Sequence, residues 1–536
     1  MLKKVNKLQK TVMGGAMIIA LFSILSRILG LLRDRFLSST FGAGQVLDAY
    51  YAAFRLPDLV FNILVLGALS SAFIPIFIKY WSKDKEEAWK ITNGVMNLLF
   101  LIVFVFSILF FCLAPIVVNY MVPGFNMETK ALTVTLTRIM LLGTLFFTLS
   151  NVAGSVLNSF RKFLAYSLAP IMYNLGIIFG ILVLVPKTSL GYAGLGWGVA
   201  LGALLHFLIQ LPALRKTGFR WKPIFIFKHP AIKKISILML PRCFGLAISQ
   251  FNFIVTTLIA SGITIGAVAI YNLAFNLVNF PVSIFGISLA ISIFPLLSKN
   301  FADGDKKSFV KYFSRTVRRI LYFIIPTTIL FFALRAQIVR LVLGAGVFSW
   351  RDTVLTAQTL GWFSVSLFAQ SLIPIFARAF YATQNTKTPV KIAIIAFVVN
   401  IIGCLFLGNL FGIGGLALAF SIASIVNFVL LYIYFNKKIY PLPNREIVFS
   451  ILRIAGLSIV MAAIIQGIKY LIGPLVNMQT FMGVFIQTLA VVLGAIFFYL
   501  VATLAFKFEE VEVITQYVLK KIKNKKALQF IKKIIN

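Results

Sequence analysis

The sequence predicts an all-α polytopic membrane protein, and three observations predict it. Hydrophobic residues make up 60% of the 536 and charged residues 12%, with a mean hydropathy of +0.97, outside the range of water-soluble globules. Apolar stretches of membrane-spanning length recur about fourteen times, at roughly 20 residues per crossing. Basic residues fall in alternate connections, the pattern that orients membrane helices. The 51 Lys and Arg against 14 Asp and Glu, net +37, therefore read as orientation and not as a nucleic-acid surface, which needs a soluble face to display its charge.

The predicted spans centre near Ala20, Leu64, Val103, Leu142, Ile177, Ala203, Phe251, Phe285, Ile325, Ser366, Ala396, Ile422, Met461 and Leu493. Pro57, Pro281 and Pro326 fall inside theirs and are candidate bends. The first run follows Lys3, Lys4, Lys7 and Lys10, but it is too long for a cleaved signal peptide and lacks a small-residue cleavage site. Basic connections follow at Lys79 to Lys90, Arg161 and Lys162, Arg215 to Lys234, Lys299 to Arg319, Lys387 and Lys391, and Lys437 to Arg445, with a basic tail from Lys507. The connections between them, such as SGITIG and GNLFGIG, are short and nearly uncharged. Both termini are accordingly expected on the cytoplasmic side of the membrane. Cys112, Cys243 and Cys404 lie scattered in apolar runs, without the spacing of a metal site or redox pair.

An internal repeat appears when the chain is slid against itself by about 220 residues. GALSSAFIPIFIKYWSKDKE, with Pro75, matches ISLAISIFPLLSKNFADGDKK, with Pro295. APIMYNLGIIFG, with Asn174, matches IAFVVNIIGCLF, with Asn400, and the run from Gly194 matches that from Gly415, pairing His206 with Asn427. The offset spans an even number of crossings, so the copies enter the membrane in the same direction, as in parallel-repeat transporters. The expected architecture is two parallel six-helix repeats forming a V-shaped central cavity, plus two extra C-terminal helices. The boundaries are an N-lobe at 1–225, a C-lobe at 226–436, two further helices at 437–506 and a basic cytoplasmic tail at 507–536.

Charges concentrate where they are costly. Between Ser26 and Pro75, Arg27, Arg33, Asp34, Arg35, Asp48, Arg55 and Asp58 lie in or beside apolar spans. An arginine at mid-membrane costs about 2.5–3.5 kcal/mol on insertion scales, so such residues face a protein interior or a wet cavity. Arg35, Asp48 and Asp58 can alternatively snorkel to an interface, and an Arg33–Asp34 pair can be purely structural.

The stretches SRILGLLRD, FGAGQVLDAYYAAFRLPDL and GALSSAFIPIF resemble the N-terminal signature of the MurJ/MviN family, lipid II flippases of the multidrug/oligosaccharidyl-lipid/polysaccharide exporter superfamily. VLNSFRKFLAYSLAPIMYNLGII, FPVSIFGISLAISIFPLLSK and ARAFYATQNTKTPVKIAI extend the resemblance through both lobes. It implies outward movement of undecaprenyl-pyrophosphate-linked peptidoglycan precursor by alternating access, in a bacterial cytoplasmic (inner) membrane. It also implies a lipid-tail groove in the last two helices, and membrane lipids and cell-wall synthesis proteins as further partners. The family's cavity motif carries over to Ser26, Arg27, Arg33 and Asp34, with Asp48 as the acidic residue after FGAG. Arg55 completes the substrate-binding candidates in the opening stretch, and arginine suits phosphate because its planar fork is bidentate and always charged.

The sequence departs from the family pattern at several points. Phe61 and Leu66 stand where charged residues are usual, Asn276 where the eighth span usually has its cavity arginine, and Thr256 where an aspartate is tied to cation coupling; QNTKTP carries Asn385. Asn276 is kept as a candidate binding position. These losses point away from a bound cation and toward the membrane potential as driving force, with Na+ or H+ coupling as the alternative. No metal site, cofactor or nucleic-acid partner is expected. His206 reads as a packed, hydrogen-bonded residue, and Arg242 and Arg378 as interface residues. Nothing matches a P-loop, HExxH or GxSxG motif, so no enzyme is expected. The alternatives are export of another lipid-linked saccharide, drug/cation antiport by the same architecture, or a non-transporting cell-wall scaffold. The scaffold leaves the costly arginines of the first span unexplained.

Overall fold

Inside hydrocarbon every backbone N–H and C=O must find a partner within the protein, so spanning runs fold as helices. The computed structural model describes residues 12–66, 73–226 and 228–511, and among them the chain is helical with no strand. The basic N-terminus before Val12 and the tail beyond Val511 lie outside the described residues, as do the GALSSA positions 67–72.

The first half comprises α1 (Val12–Phe41), α2 (Gln45–Ala53), α3 (Arg55–Val60), α4 (Ile74–Trp81), α5 (Lys85–Met121), α6 (Met127–Ser159), α7 (Phe163–Phe179), α8 (Ala193–Leu208) and α9 (Pro230–Ser261). The second comprises α10 (Ala267–Pro281), α11 (Ser288–Ala302), α12 (Lys306–Ala333), α13 (Arg335–Val342), α14 (Trp350–Ser364), α15 (Leu367–Ala382), α16 (Lys387–Lys438), α17 (Asn444–Ile472) and α18 (Phe481–Ala505).

Among the described residues ten helices are long and apolar enough to cross a membrane, or eleven with the bent pair α14 and α15, which meet at 47°. That is fewer than the expected count of about fourteen at roughly 20 residues each, and the local structure shows why. α1 carries Arg27, Arg33, Asp34 and Arg35. The second expected span is divided among α2, α3, a π-helical stretch Phe61–Leu66 and α4. α16, at 52 residues, is two helices merged across a break at Gly412 (φ 58°, ψ −134°); unbroken it would run about 78 Å, more than twice the hydrocarbon thickness.

The repeat has local counterparts at the same offset of about 220 residues. Phe61–Leu66 and Val282–Ile287 are both π-helical, and the candidate bends Pro57 and Pro281 lie just before them, whereas Pro326 stays inside a continuous α12. Asp84 and Asp305 are both side-chain N-caps, accepting from Glu86 N and Ser308 N respectively. Gly191 (φ 53°) and Gly412 (φ 58°) both take the left-handed conformation that a side chain disfavours.

Contacts divide the chain into two units. The first runs to Leu273 and takes in Val342–Asp352 and Cys404–Leu416; the second comprises Ala274–Leu341, Thr353–Gly403 and the chain from Ala417 on. Within the first, α7 and α8 close onto each other through glycines: a Cβ on Gly176 would meet Gly202 Cα at 2.3 Å, and one on Gly180 would meet Gly198 Cα at 2.7 Å. Small residues let membrane helices approach at the backbone. Beside them Ser150 Oγ lies 2.6 Å from His206 Nδ1 and accepts from Gln210 Nε2 at 2.6 Å, so His206 is the hydrogen-bonded packing residue expected.

Helix prolines free a carbonyl one turn earlier, and neighbouring helices supply donors. Pro115 leaves Phe111 O to Arg138 Nε of α6 at 3.0 Å. In the second unit Pro326 leaves Tyr322 O to Tyr499 Oη of α18 at 2.9 Å. Tyr322 Oη in turn lies 3.0 Å from Thr503 Oγ1, fastening α18 to α12.

Candidate functional site

The charged stretch folds into three polar centres, all within the first unit. The first is on α1. Adjacent helical residues point apart, yet the long Arg33 arm swings back so that Nη2 and Nε lie 2.7 and 3.0 Å from Asp34 Oδ1. Arg33 Nη1 also donates to Asn174 Oδ1 of α7 at 3.3 Å, and Asn174 Nδ2 donates to Ser26 O at 3.3 Å. Asp34 is 3% exposed, whereas the Arg33 side chain keeps 21% of its surface open. Arg27 stands two turns before Asp34 on the same helix face, half-buried, and without a hydrogen-bonding or ionic partner among the described residues.

The second centre surrounds Arg55, which opens α3 and is 7% exposed. Its Nε donates to Thr257 Oγ1 of α9 and its Nη2 to Asn272 Oδ1 of α10, both at 2.8 Å, and its guanidinium lies 5.3 Å from the Phe253 ring centroid. Asp58 follows one turn on in the same helix.

The third is Asp48, 2% exposed, whose two carboxylate oxygens accept from Gly266 N at 2.6 Å and Ala269 N at 2.8 Å. These are among the orphan amides at the start of α10, where negative charge also meets the positive end of the helix dipole. Gly266 has φ 85°, and a Cβ there would fall 2.0 Å from Ala43 O, so the close approach requires glycine.

A family profile described as lipid II flippase MurJ matches residues 37–486. The chain belongs to the MurJ family. A lipid II flippase MurJ of Burkholderia cenocepacia is 30% identical over 452 residues, covering 83% of this chain and 88% of that protein. A probable lipid II flippase MurJ of Vibrio cholerae is 30% identical over 463 residues, covering 84% and 88%. A solved lipid II flippase MurJ in an inward closed conformation superposes with a TM-score of 0.74 at 27% identity, covering 91% of this chain and 99% of that one. A multidrug-resistance MATE transporter of the MOP superfamily matches at TM-score 0.66 with 13% identity, covering 77% and 94%, which shows a shared fold alone.

For this MurJ-family chain the structure brings Ser26, Arg33 and Asp34 into one network, with Arg27 on the same helix. Arg55 and Asp48 sit in separate networks of the same unit, and Asn276 belongs to the second unit. Sequence reasoning singled out Asn174 only as a repeat match and missed it as the bridge between Ser26 and Arg33. It also missed Thr257 and Asn272 as acceptors for Arg55; a polar residue inside an apolar span was the available signal. Three of the positions that depart from the family pattern have local partners. Phe61 packs on Phe147 with ring centroids 5.4 Å apart. Thr256 Oγ1 donates to Asn252 O at 2.8 Å. Asn385 Oδ1 accepts from Thr388 N at 3.1 Å at the start of α16.

Proposed function

We propose that this chain carries lipid II, the undecaprenyl-pyrophosphate-linked peptidoglycan precursor, from the cytoplasmic to the outer leaflet of the bacterial cytoplasmic membrane by alternating access. It acts as a transporter and changes no covalent bond. The observation that carries this reading is the α1 cluster: a partly open Arg33 oriented by Asp34 and Asn174, with Arg27, which has no hydrogen-bonding or ionic partner among the described residues, two turns before Asp34 on the same helix. Arg27, an arginine in a span with no ionic partner among the described residues, is poised for an anion, and a pyrophosphate offers the bidentate oxygens its fork fits. Ser26 and Asn174 add neutral polar groups at the same place. α17 and α18 are assigned the lipid tail, and both termini the cytoplasm.

Movement is driven by the membrane potential. A hard cation is best held by anionic oxygens, whereas Thr256 offers a hydroxyl already engaged with Asn252 O and Asn385 caps a helix. Each negative charge leaving a negative interior gains about 2.3 kcal/mol per 100 mV.

Genetic replacement tests the assignment. The gene should restore growth to cells depleted of their lipid II flippase, and the Arg33→Ala variant, inserted to the same level, should not. Failure of the unmodified gene despite normal insertion would count against lipid II as the substrate.

A further inference from the structure

We infer that the connector between α8 and α9 is a membrane-docking edge, which Asn93 and Asn97 of α5 hold extended so that Arg220, Trp221, Lys222, Phe225 and Lys228 meet the anionic phospholipid headgroups of the cytoplasmic leaflet. The inference rests on the cytoplasmic placement of this end proposed above.

Residues 219–226 form no helix, yet they are held like a paired strand. Asn93 Nδ2 donates to Arg220 O at 3.1 Å, and Asn93 Oδ1 accepts from Lys222 N at 2.8 Å. One turn further along α5, Asn97 Nδ2 donates to Lys222 O at 2.8 Å and to Ile224 O at 2.9 Å, while its Oδ1 accepts from Trp221 Nε1 at 3.0 Å. Asn93 is 1% exposed and Asn97 7%, so both side chains would be costly polar burials without the connector. Between them Gly94 leaves room for Ile226: a Cβ there would lie 2.3 Å from Ile226 Cγ1. The far end is pinned by His229, whose Nε2 lies 2.8 Å from Glu87 Oε1 and whose Nδ1 accepts from Ala231 N at 3.1 Å.

Fixing one edge presents the other. Trp221 is 62% exposed and Phe225 49%, and Arg220, Lys222 and Lys228 are exposed beside them. Residues 215–234 hold seven Lys and Arg and no Asp or Glu, and the adjacent carboxylate, Glu87, is engaged with His229 and Lys90. Large aromatic rings interleaved with cations at the end of membrane helices suit the headgroup layer, and an anionic leaflet attracts each basic residue near its surface. A water-facing loop would gain nothing from an exposed indole whose only donor is already used.

The test uses purified full-length protein in phosphatidylcholine vesicles containing a minor fraction of brominated lipid, on either phosphatidylglycerol or phosphatidylcholine. The fluorescence difference between wild type and Trp221→Phe isolates the Trp221 signal. Brominated phosphatidylglycerol should quench it more strongly than brominated phosphatidylcholine. Replacing Arg220, Lys222 and Lys228 with Gln should weaken that preference by about fivefold per cation. Asn97→Leu, which releases the strap, should lower it as well, and an unchanged preference there would refute the strap's role. Equal quenching by both lipids would overturn the anionic preference. Quenching by neither would mean that Trp221 faces water or a protein partner, and would overturn membrane docking itself. The vesicles contain no lipid II and have identical leaflets, so neither transport nor orientation enters the result.

Discussion

Arg33 and Arg55 are both arginines held inside the first unit, and they differ in partners and exposure. Arg55 is 7% exposed and spends its fork on Thr257 and Asn272. Truncating it strands two buried acceptors, and Arg55→Ala should cost about 1–3 kcal/mol, read as a lower melting temperature in detergent, with Arg55→Lys recovering part of the loss. Arg33 keeps open surface, so Arg33→Ala should slow transport by about 10- to 100-fold, the worth of a charge-assisted hydrogen bond, at normal membrane insertion. Lysine should restore it only in part, because it keeps the charge and loses the fork. Arg27→Ala should behave likewise with unchanged stability. Transport unaffected by alanine at both Arg27 and Arg33 would remove the headgroup site. The costly residues themselves were legible in the sequence, since a charge inside an apolar span announces a partner. What each partner would be was not. Asp48 meets backbone amides of Gly266 and Ala269, groups every residue carries, so no residue type marks that pairing.

At the scale of elements, the sharpest dependence is where α7 and α8 touch. Gly202→Leu places a side chain against Tyr173 O, which even a Cβ would approach to 2.5 Å, so the helices must separate; the variant should insert yet melt at a lower temperature. The helix starts offer a pH test. Ser308 holds the Asp305 carboxyl below the usual carboxylate range through hydrogen bonds from its side chain and backbone N–H. A depressed carboxyl stabilises the folded form above its unfolded value, about 3.9, and loses that contribution as pH falls through the lower folded value. Hydrogen exchange at the start of α12 should therefore quicken in that acid window, and Asp305→Asn should remove the pH dependence. The repeat was legible as three matched stretches, and the shared π-helical turns and left-handed glycines follow from it. The break at Gly412 and the strap on Asn93 and Asn97 were not. Glycine is common in membrane helices, and an asparagine does not declare which backbone it will bind.

For the whole molecule, the alternation of basic connections predicts that cysteines placed near Lys85, Arg220, Lys306 and Lys438 resist a membrane-impermeant thiol reagent in intact cells. Ready labelling at two or more of these places would reverse the proposed orientation. Coupling is a property of the same scale. In vesicles an imposed potential should bias lipid II transport by about fiftyfold per 100 mV for each charge moved across the full field, with or without a sodium gradient, and transport that follows sodium alone would contradict potential driving. The central claim, that this chain moves lipid II through the Arg33 centre, is tested most directly by reconstituting it with lipid II and measuring how fast the headgroup becomes accessible to an impermeant reagent across the bilayer. Wild-type protein should expose lipid II well above the protein-free rate and Arg33→Ala should not; a wild-type rate equal to that of empty vesicles, or an Arg33→Ala rate equal to wild type, would contradict the account.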